Sequence, residues 1–233
     1  MGGTIFKRHI SALEPPWWYI ISPPFTHMAE TDSWPLILRH ELLSTTALLD
    51  LLNCPADQRE LIESRRRPEK VHLCDAEVVS ITIRDQKPMS DSALRRVLTS
   101  GTPEEWYQLL NRKVFFWPNR DRLETFLAAS AYCDSEQIVI TVDTGQLLAD
   151  YREKFCLSSI NSGATLYNPP RRGPETFVRV ADYPFEYWRR RRRSPSRAVA
   201  EIAVEGGVTN IDRYATEVRR WRGRSPGEVI WSP

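Results

Sequence analysis

Apolar positions along this chain recur with two different periods, and the change of period divides it into elements. Over Asp32–Leu43 the series Trp34, Ile37, Leu38, Glu41, Leu42 follows the i, i+3, i+4, i+7, i+8 spacing of a helix, mostly apolar, with Asp32 or Ser33 to cap it and Pro35 in the first turn. A second helix is expected from Thr45 to Leu52, ending before Pro55, and a polar one over Ala56–Arg67. Val71–Ile83 reads as strand, Ser90–Leu98 as a short helix, and Thr102-Pro-Glu-Glu105 as a capping box opening a helix to Leu110. Val114–Trp117 reads as a buried strand stopped by Pro118, and Asp121–Ala131 as another helix. Ile138–Val142 is a strand, with Asp143 or Thr144 opening a helix toward Tyr151. Phe155–Ile160, Thr176–Val180 and Val199–Val204 are three later strand candidates. Asn161–Pro174, rich in Gly, Pro and Asn, is a loop.

Helices thus dominate the first half and strands gather later, which predicts an α+β domain. No glycine-rich turn follows a strand, so the GxGxxG and GxxxxGK[ST] phosphate loops are both absent. The domain is expected over residues 24–215, after an aromatic, proline-broken strap (1–23) and before a basic tail (216–233).

Composition adds little to this picture. At 233 residues, with 41% apolar and 27% charged side chains, the chain suits one globular domain. Its apolar runs are far shorter than the roughly 20 residues of a membrane helix, and Met1–Phe6 lacks the order of a signal peptide, so no membrane partner and a cytoplasmic location are expected. Cys54, Cys74, Cys133 and Cys156 are irregularly spaced and read as free thiols; neither they nor His9, His27, His40 and His72 form a metal pattern, and no metal is expected. Eight tryptophans predict that some rings line a pocket, with core packing as the plainer reading. Charge is uneven, −5 over residues 1–150 and +7 over 151–233, and the excess includes Arg189, Arg190, Arg191, Arg192 and Arg193. That run beside Tyr183, Phe185, Tyr187 and Trp188 suits a nucleic-acid backbone, or equally a solvated loop.

Three residues carry the candidate chemistry. His27, before the first helix, can bond a ligand hydroxyl or phosphate, or tie the strap to the domain. Arg84, at a strand end, has the planar fork for a diphosphate, or for an ion pair with Asp85 or a neighbouring carboxylate. In the strand Val199–Val204, Glu201 shares a face with Val199 and Ala203, which places a carboxylate mid-strand among small apolar residues. Buried there, it needs a partner or a function; on a wet face it needs neither.

The order of several segments resembles a known pattern. Phe25-Thr-His27, then Ser33–His40 and Leu42-Leu-Ser-Thr45, then Asn111–Pro118, then Ala200–Val204 with Val208 and Ile211, resemble an uncharacterised bacterial domain family (DUF7002-like) and, more remotely, the DarT-type DNA ADP-ribosyltransferase toxins. The chain departs from the toxins in carrying Glu41 where glycine is usual after the first helix. The resemblance implies an ADP-ribosyltransferase-like split β-sheet fold with N-terminal helices. It implies NAD as co-substrate, no metal, and transfer of ADP-ribose with release of nicotinamide. The acceptor it implies is a nucleic-acid base or a protein, and in a toxin–antitoxin setting an antitoxin or immunity partner is expected. Glu201 and Arg84 would then be catalytic, while His27, Ser44, Thr45, Phe115, Phe116 and Trp117 would bind NAD. The competing expectation is a non-catalytic nucleic-acid-binding module that uses the basic C-terminal part.

Overall fold

The computed structural model describes residues 24–74, 80–191 and 195–233. The expected strap at 1–23 lies outside them, as do Arg192 and Arg193 of the arginine run. The architecture is a mixed α+β fold around two four-stranded antiparallel sheets.

The first sheet runs β1 (Phe25–Glu30), β6 (Glu136–Val142), β11 (Ala215–Arg222), β12 (Ser225–Trp231). The central strand β6, with Ile138, Ile140 and Val142 all inaccessible to solvent, pairs antiparallel with β1 from Phe25↔Val142 to Glu30↔Gln137. The second sheet runs β5 (Lys113–Phe116), β9 (Glu201–Glu205), β7 (Phe155–Ser158), β8 (Val178–Arg179). The sheets are tied where β5 ends: Trp117 and Thr26 exchange two backbone hydrogen bonds, at 2.8 and 3.2 Å. One core fills the space between them, with Phe25, Ile138 and Val218 from the first sheet and Val114, Phe116, Phe155, Leu157, Ile202 and Val204 from the second.

Seven of the nine described helices follow the sequence pattern, most with shorter bounds, while Phe185–Arg190 and Pro195–Ala198 are helices the pattern did not predict. The nine are α1 (Trp34–His40), α2 (Thr45–Leu51), α3 (Ala56–Glu63), α4 (Asp91–Val97), α5 (Pro103–Asn111), α6 (Arg120–Leu127), α7 (Thr144–Tyr151), α8 (Phe185–Arg190) and α9 (Pro195–Ala198). Side chains cap several of them as expected: Ser90 Oγ accepts from Ala93 N, Asp143 from Gln146 N, and Thr102 and Glu105 complete the reciprocal capping box of α5; the cap expected for α1 does not form, because Ser33 Oγ donates back to Glu30 O. Short strands complete the set: β3 (Val71–Cys74) and β4 (Ser80–Ile83) form a hairpin, and β2 (Leu42–Leu43) pairs with β10 (Gly207–Val208). Leu49, Ile62, Leu73 and Ile83 form a separate small core where α2 and α3 cover that hairpin.

Three further expectations are corrected. The first helix ends at His40, because Glu41 adopts φ 75°, ψ 167°, a conformation closed to continued helix. That position suits glycine, and the glutamate is held in it by accepting a hydrogen bond from Asn210 N. Residues 216–233 are not a tail. They carry β11 and β12, and Trp231 packs on Trp34 of α1 with ring centroids 5.1 Å apart, so basic side chains sit on strands whose apolar face is core. Glu201 is not mid-strand but opens β9, opposite Ser158, the last residue of β7.

Candidate functional site

The two sheets, the β3–β4 hairpin and the loop after β7 enclose a cleft of about 950 Å³, within the range of small-molecule and cofactor sites. His27, Ser44, Thr45, Arg84, Phe115, Phe116, Trp117 and Glu201 all line it. The residues singled out from sequence as catalytic or dinucleotide-binding are therefore brought to one cavity from positions as far apart as 27 and 201.

Glu201 is 6% exposed and lies at the mouth of the second sheet. The chain leaves β7 at Ser158 and folds back over the start of β9. Ser158 Oγ donates to Ile160 O at 2.9 Å, and Gly163 N donates to Asn161 Oδ1 at 3.1 Å, a local turn that presents Ser162 to the carboxylate. Ser162 donates twice to Glu201 Oε2, from its amide at 3.2 Å and from its hydroxyl. Desolvation disfavours the ionised carboxyl and pushes its pKa up to about 7, against the opposing pull of the two Ser162 donations and the charges of Arg172 and Arg122. A carboxyl poised at that value exchanges a proton near neutral pH and can act as acid or base.

His27 sits on β1, where the end of β5 crosses. Its Nδ1 lies 2.8 Å from the carbonyl of Phe115, and its ring packs on Phe116 at 5.6 Å. A carbonyl only accepts, so Nδ1 carries the proton and Nε2 of the neutral ring is left as an acceptor. Burial first, and the charge of Arg84, lower its pKa to about 4 despite the Phe115 bond, so the ring is neutral at physiological pH. Both suggestions of the sequence hold at once: the ring is tied to backbone and it lines the cleft.

Arg84 stands just beyond β4. Its Nη1 donates to Glu30 Oε1 at 3.0 Å and to Gln137 Oε1 at 2.5 Å, and its guanidinium lies 5.4 Å from the centre of the Tyr132 ring. Nη2 has no hydrogen-bond acceptor among the described residues. The neighbouring Asp85, 9% exposed, accepts from Tyr132 Oη at 2.7 Å through Oδ1, and its Oδ2 has no partner among the described residues. Arg67 supports this end of the cleft from behind. It is 7% exposed, donates to Ile62 O, Asn111 Oδ1 and Arg84 O, and burial lowers its pKa to about 10.

The remaining candidates divide. Ser44 Oγ caps α2, accepting from Ala47 N at 3.2 Å, while Thr45 is half-buried at the cleft wall. Phe116, 1% exposed, belongs to the core beneath His27, whereas Phe115 and Trp117 are half-buried. Trp117 continues into an aromatic row with Phe126 (5.2 Å) and Tyr132 (4.7 Å from Phe126), all three on the cleft wall. Of the arginine run, Arg190 ends α8 and Arg191 lies over Tyr187 at 4.4 Å, and neither lines the cleft; the side chain of Arg189 lies outside the described residues.

Sequence reasoning missed Tyr132, gave the segments Asn161–Gly163 and Arg172–Gly173 no function, and offered Asp85 only as a pair for Arg84, whose carboxylate partner is Glu30. The Asn-Ser-Gly turn was visible, but its approach to Glu201 depends on a pairing across the second sheet that no local pattern encodes. The four cysteines are free, and among the described residues no group of three or more His, Cys, Asp or Glu is placed to hold a metal ion. No described helix is long and apolar enough to cross a membrane.

A protein-family model described as a family of unknown function (DUF7002) matches residues 23–215. No curated protein and no solved structure matches the chain.

Proposed function

The chain belongs to the DUF7002 family of unknown function, and from the chemistry of its cleft we propose that it is an enzyme transferring ADP-ribose from NAD to an acceptor, with release of nicotinamide. The observation that carries this reading is the convergence of His27, Arg84 and Glu201 on one cavity large enough for a dinucleotide. Two antiparallel sheets tied at Thr26–Trp117, with helices ahead of the second sheet, suit the split-sheet fold that the DarT-type resemblance implies.

NAD is substrate here, and the roles follow from the donors and acceptors on the cleft wall. Nε2 of neutral His27 accepts from a ribose hydroxyl. Arg84, held on the cleft wall by Glu30 and Gln137, meets the diphosphate or orients the acceptor. Thr45 borders the adenosine side and the rings of Phe115 and Trp117 border the nicotinamide. Breaking the C1′–N bond sends its electron pair to the pyridinium nitrogen, so nicotinamide leaves neutral and positive charge develops on the sugar. Ionised Glu201 stabilises that charge across a ribose hydroxyl. The acceptor bonds to C1′ and its proton passes to Glu201, whose pKa near 7 suits it to take and release one. The acceptor class we propose is a nucleic-acid base or a protein side chain, with an antitoxin-like protein as the regulatory partner.

The test is incubation of wild type and Glu201→Gln with NAD and a panel of nucleic-acid and protein acceptors, following nicotinamide release and acceptor mass. The proposal expects an acceptor heavier by one ADP-ribose with wild type only. Equal behaviour of the two proteins on every acceptor removes the role of Glu201. Salt-dependent nucleic-acid binding without NAD turnover would replace the enzyme by a binding module that uses Arg189–Arg193.

A further inference from the structure

Glu201 is held by Ser162, and Ser162 is itself held by a buried cation. Arg172 is 1% exposed, in the same loop and after a proline pair, and its guanidinium meets only backbone carbonyls. Nη1 donates to Ser162 O at 2.9 Å and to Asn161 O at 3.5 Å, and Nε donates to Pro170 O at 3.3 Å. Nη2 has no acceptor among the described residues. Its backbone is pinned to the end of α4: Arg172 N donates to Val97 O at 2.9 Å and Thr99 N donates to Arg172 O at 2.8 Å. The guanidinium also lies 5.9 Å from the centre of the Trp106 ring. Burying a guanidinium with no carboxylate in contact is costly unless its charge and its fork are both used.

We infer that Arg172 is the positioning residue of the Glu201 site, acting through Ser162: its fork fixes the Asn161–Ser162 carbonyls so that the Ser162 amide and hydroxyl stay aimed at Oε2. Arg172 does not touch Glu201 by hydrogen bond or ion pair. The charged groups that act on Glu201 are Arg172 from the loop and Arg122 from α6, both favouring the carboxylate, while burial favours the acid. Loosening Ser162 therefore raises the pH at which Glu201 loses its proton, and so raises the pH at which an ionised carboxylate faces the cleft. Arg172→Lys separates the fork from the charge, because lysine keeps the cation and loses the planar, multidentate geometry.

This inference takes its functional meaning from the reading of Glu201 as the working carboxylate, but its test needs no NAD. The protein is labelled with ¹³C at glutamate Cδ, Glu201→Gln assigns the signal, and the midpoint is followed by NMR from pH 4 to pH 10. Ser162→Ala removes one donation to a charged acceptor and is expected to raise the midpoint by about one pH unit. Arg172→Lys is expected to raise it by a comparable amount, and adding Arg172→Lys to Ser162→Ala to move it by less than it moves the wild type, since only the Ser162 amide donation is then left to lose. On the wild type alone, the Ser162 amide and Arg172 Nε–H signals are expected to shift with the Glu201 midpoint. A midpoint unmoved by Arg172→Lys while the melting temperature falls makes Arg172 merely structural and overturns the inference. So do shifts that add in full, or Ser162 and Arg172 signals that stay flat through the titration if the lysine variant does not fold. Absence of nicotinamide release with the coupling intact would defeat the proposed reaction and leave this inference standing.

Discussion

Glu201→Gln should stabilise the protein at alkaline pH and not at acid pH. The carboxyl is 6% exposed, and its proton is held up to about 7 in the fold against an ordinary 4.5. A folded pKa above the unfolded one means that the native state binds the proton more tightly. The resulting stability is complete below the unfolded value, declines as pH rises, and is gone once pH passes the folded value. The gap converts to about 3 kcal/mol of stability lost by the wild type between pH 4.5 and somewhat above pH 7. Glutamine keeps the shape and an oxygen to accept from Ser162, but carries no proton to lose. His27 works in the opposite direction: its folded pKa near 4 lies below the ordinary 6.5, so it adds stability that is present above 6.5 and lost as pH falls toward 4. The two effects overlap, so the wild-type curve alone is a poor witness and the difference between variant and wild type isolates Glu201. The assay is urea unfolding followed by tryptophan fluorescence at half-unit steps from pH 4 to 8.5. The stability of Glu201→Gln minus that of wild type should climb by about 3 kcal/mol across the window and then level off. A difference that is flat, or that falls with pH, would refute burial as the controlling influence on this carboxyl.

Three further outcomes follow from the same geometry. Truncation after Arg222 removes β12 and the Trp231 ring from Trp34, and should destabilise the fold by several kcal/mol or prevent folding, where loss of a free tail would leave the urea midpoint unchanged. Gly207→Ala places a methyl 2.6 Å from Leu42 O at a φ of 146°, so the β2–β10 pairing must shift, and a lowered melting temperature of several degrees is expected by calorimetry. The His27 imidazole should show the neutral, Nδ1-protonated tautomer by ¹⁵N NMR and no titration between pH 5.5 and 8; a midpoint inside that interval would contradict its burial.

What the sequence made legible was local. Helix starts were readable because their signals are side chains beside the first turn, as at Thr102, Ser90 and Asp143. Glu201 stood out as a carboxylate among small apolar residues of one strand, while His27 and Arg84 stood out by their places before the first helix and at a strand end, and by the order of segments that the resemblance supplied. The misreadings were of two kinds. Basic composition suggested a tail at 216–233, but Ala215 and Val218 face the core between the sheets and Trp221 packs in a second cluster with Met28, Leu123, Leu127 and Val139, while the arginines between them pair with carboxylates, as Arg220 does with Glu136 and Glu228. Alternation placed Glu201 mid-strand, because it marks sides and not ends, and the strand's start is set by the Ala200 N bond to Ser158 O across the sheet. Ser162 and Arg172 could not be read as parts of the site, since their approach to Glu201 arises from the loop's return over β9.

The central claim, that Glu201 works as a carboxylate on NAD in this cleft, is tested most directly by the pH profile of nicotinamide release at saturating NAD. The wild-type rate is expected to rise with pH through a midpoint near 7, where Glu201 ionises, and the Glu201→Gln variant to remain folded with a rate lower by about a hundredfold or more. A profile identical in both proteins, or no release from either in the presence of every acceptor class, would contradict it.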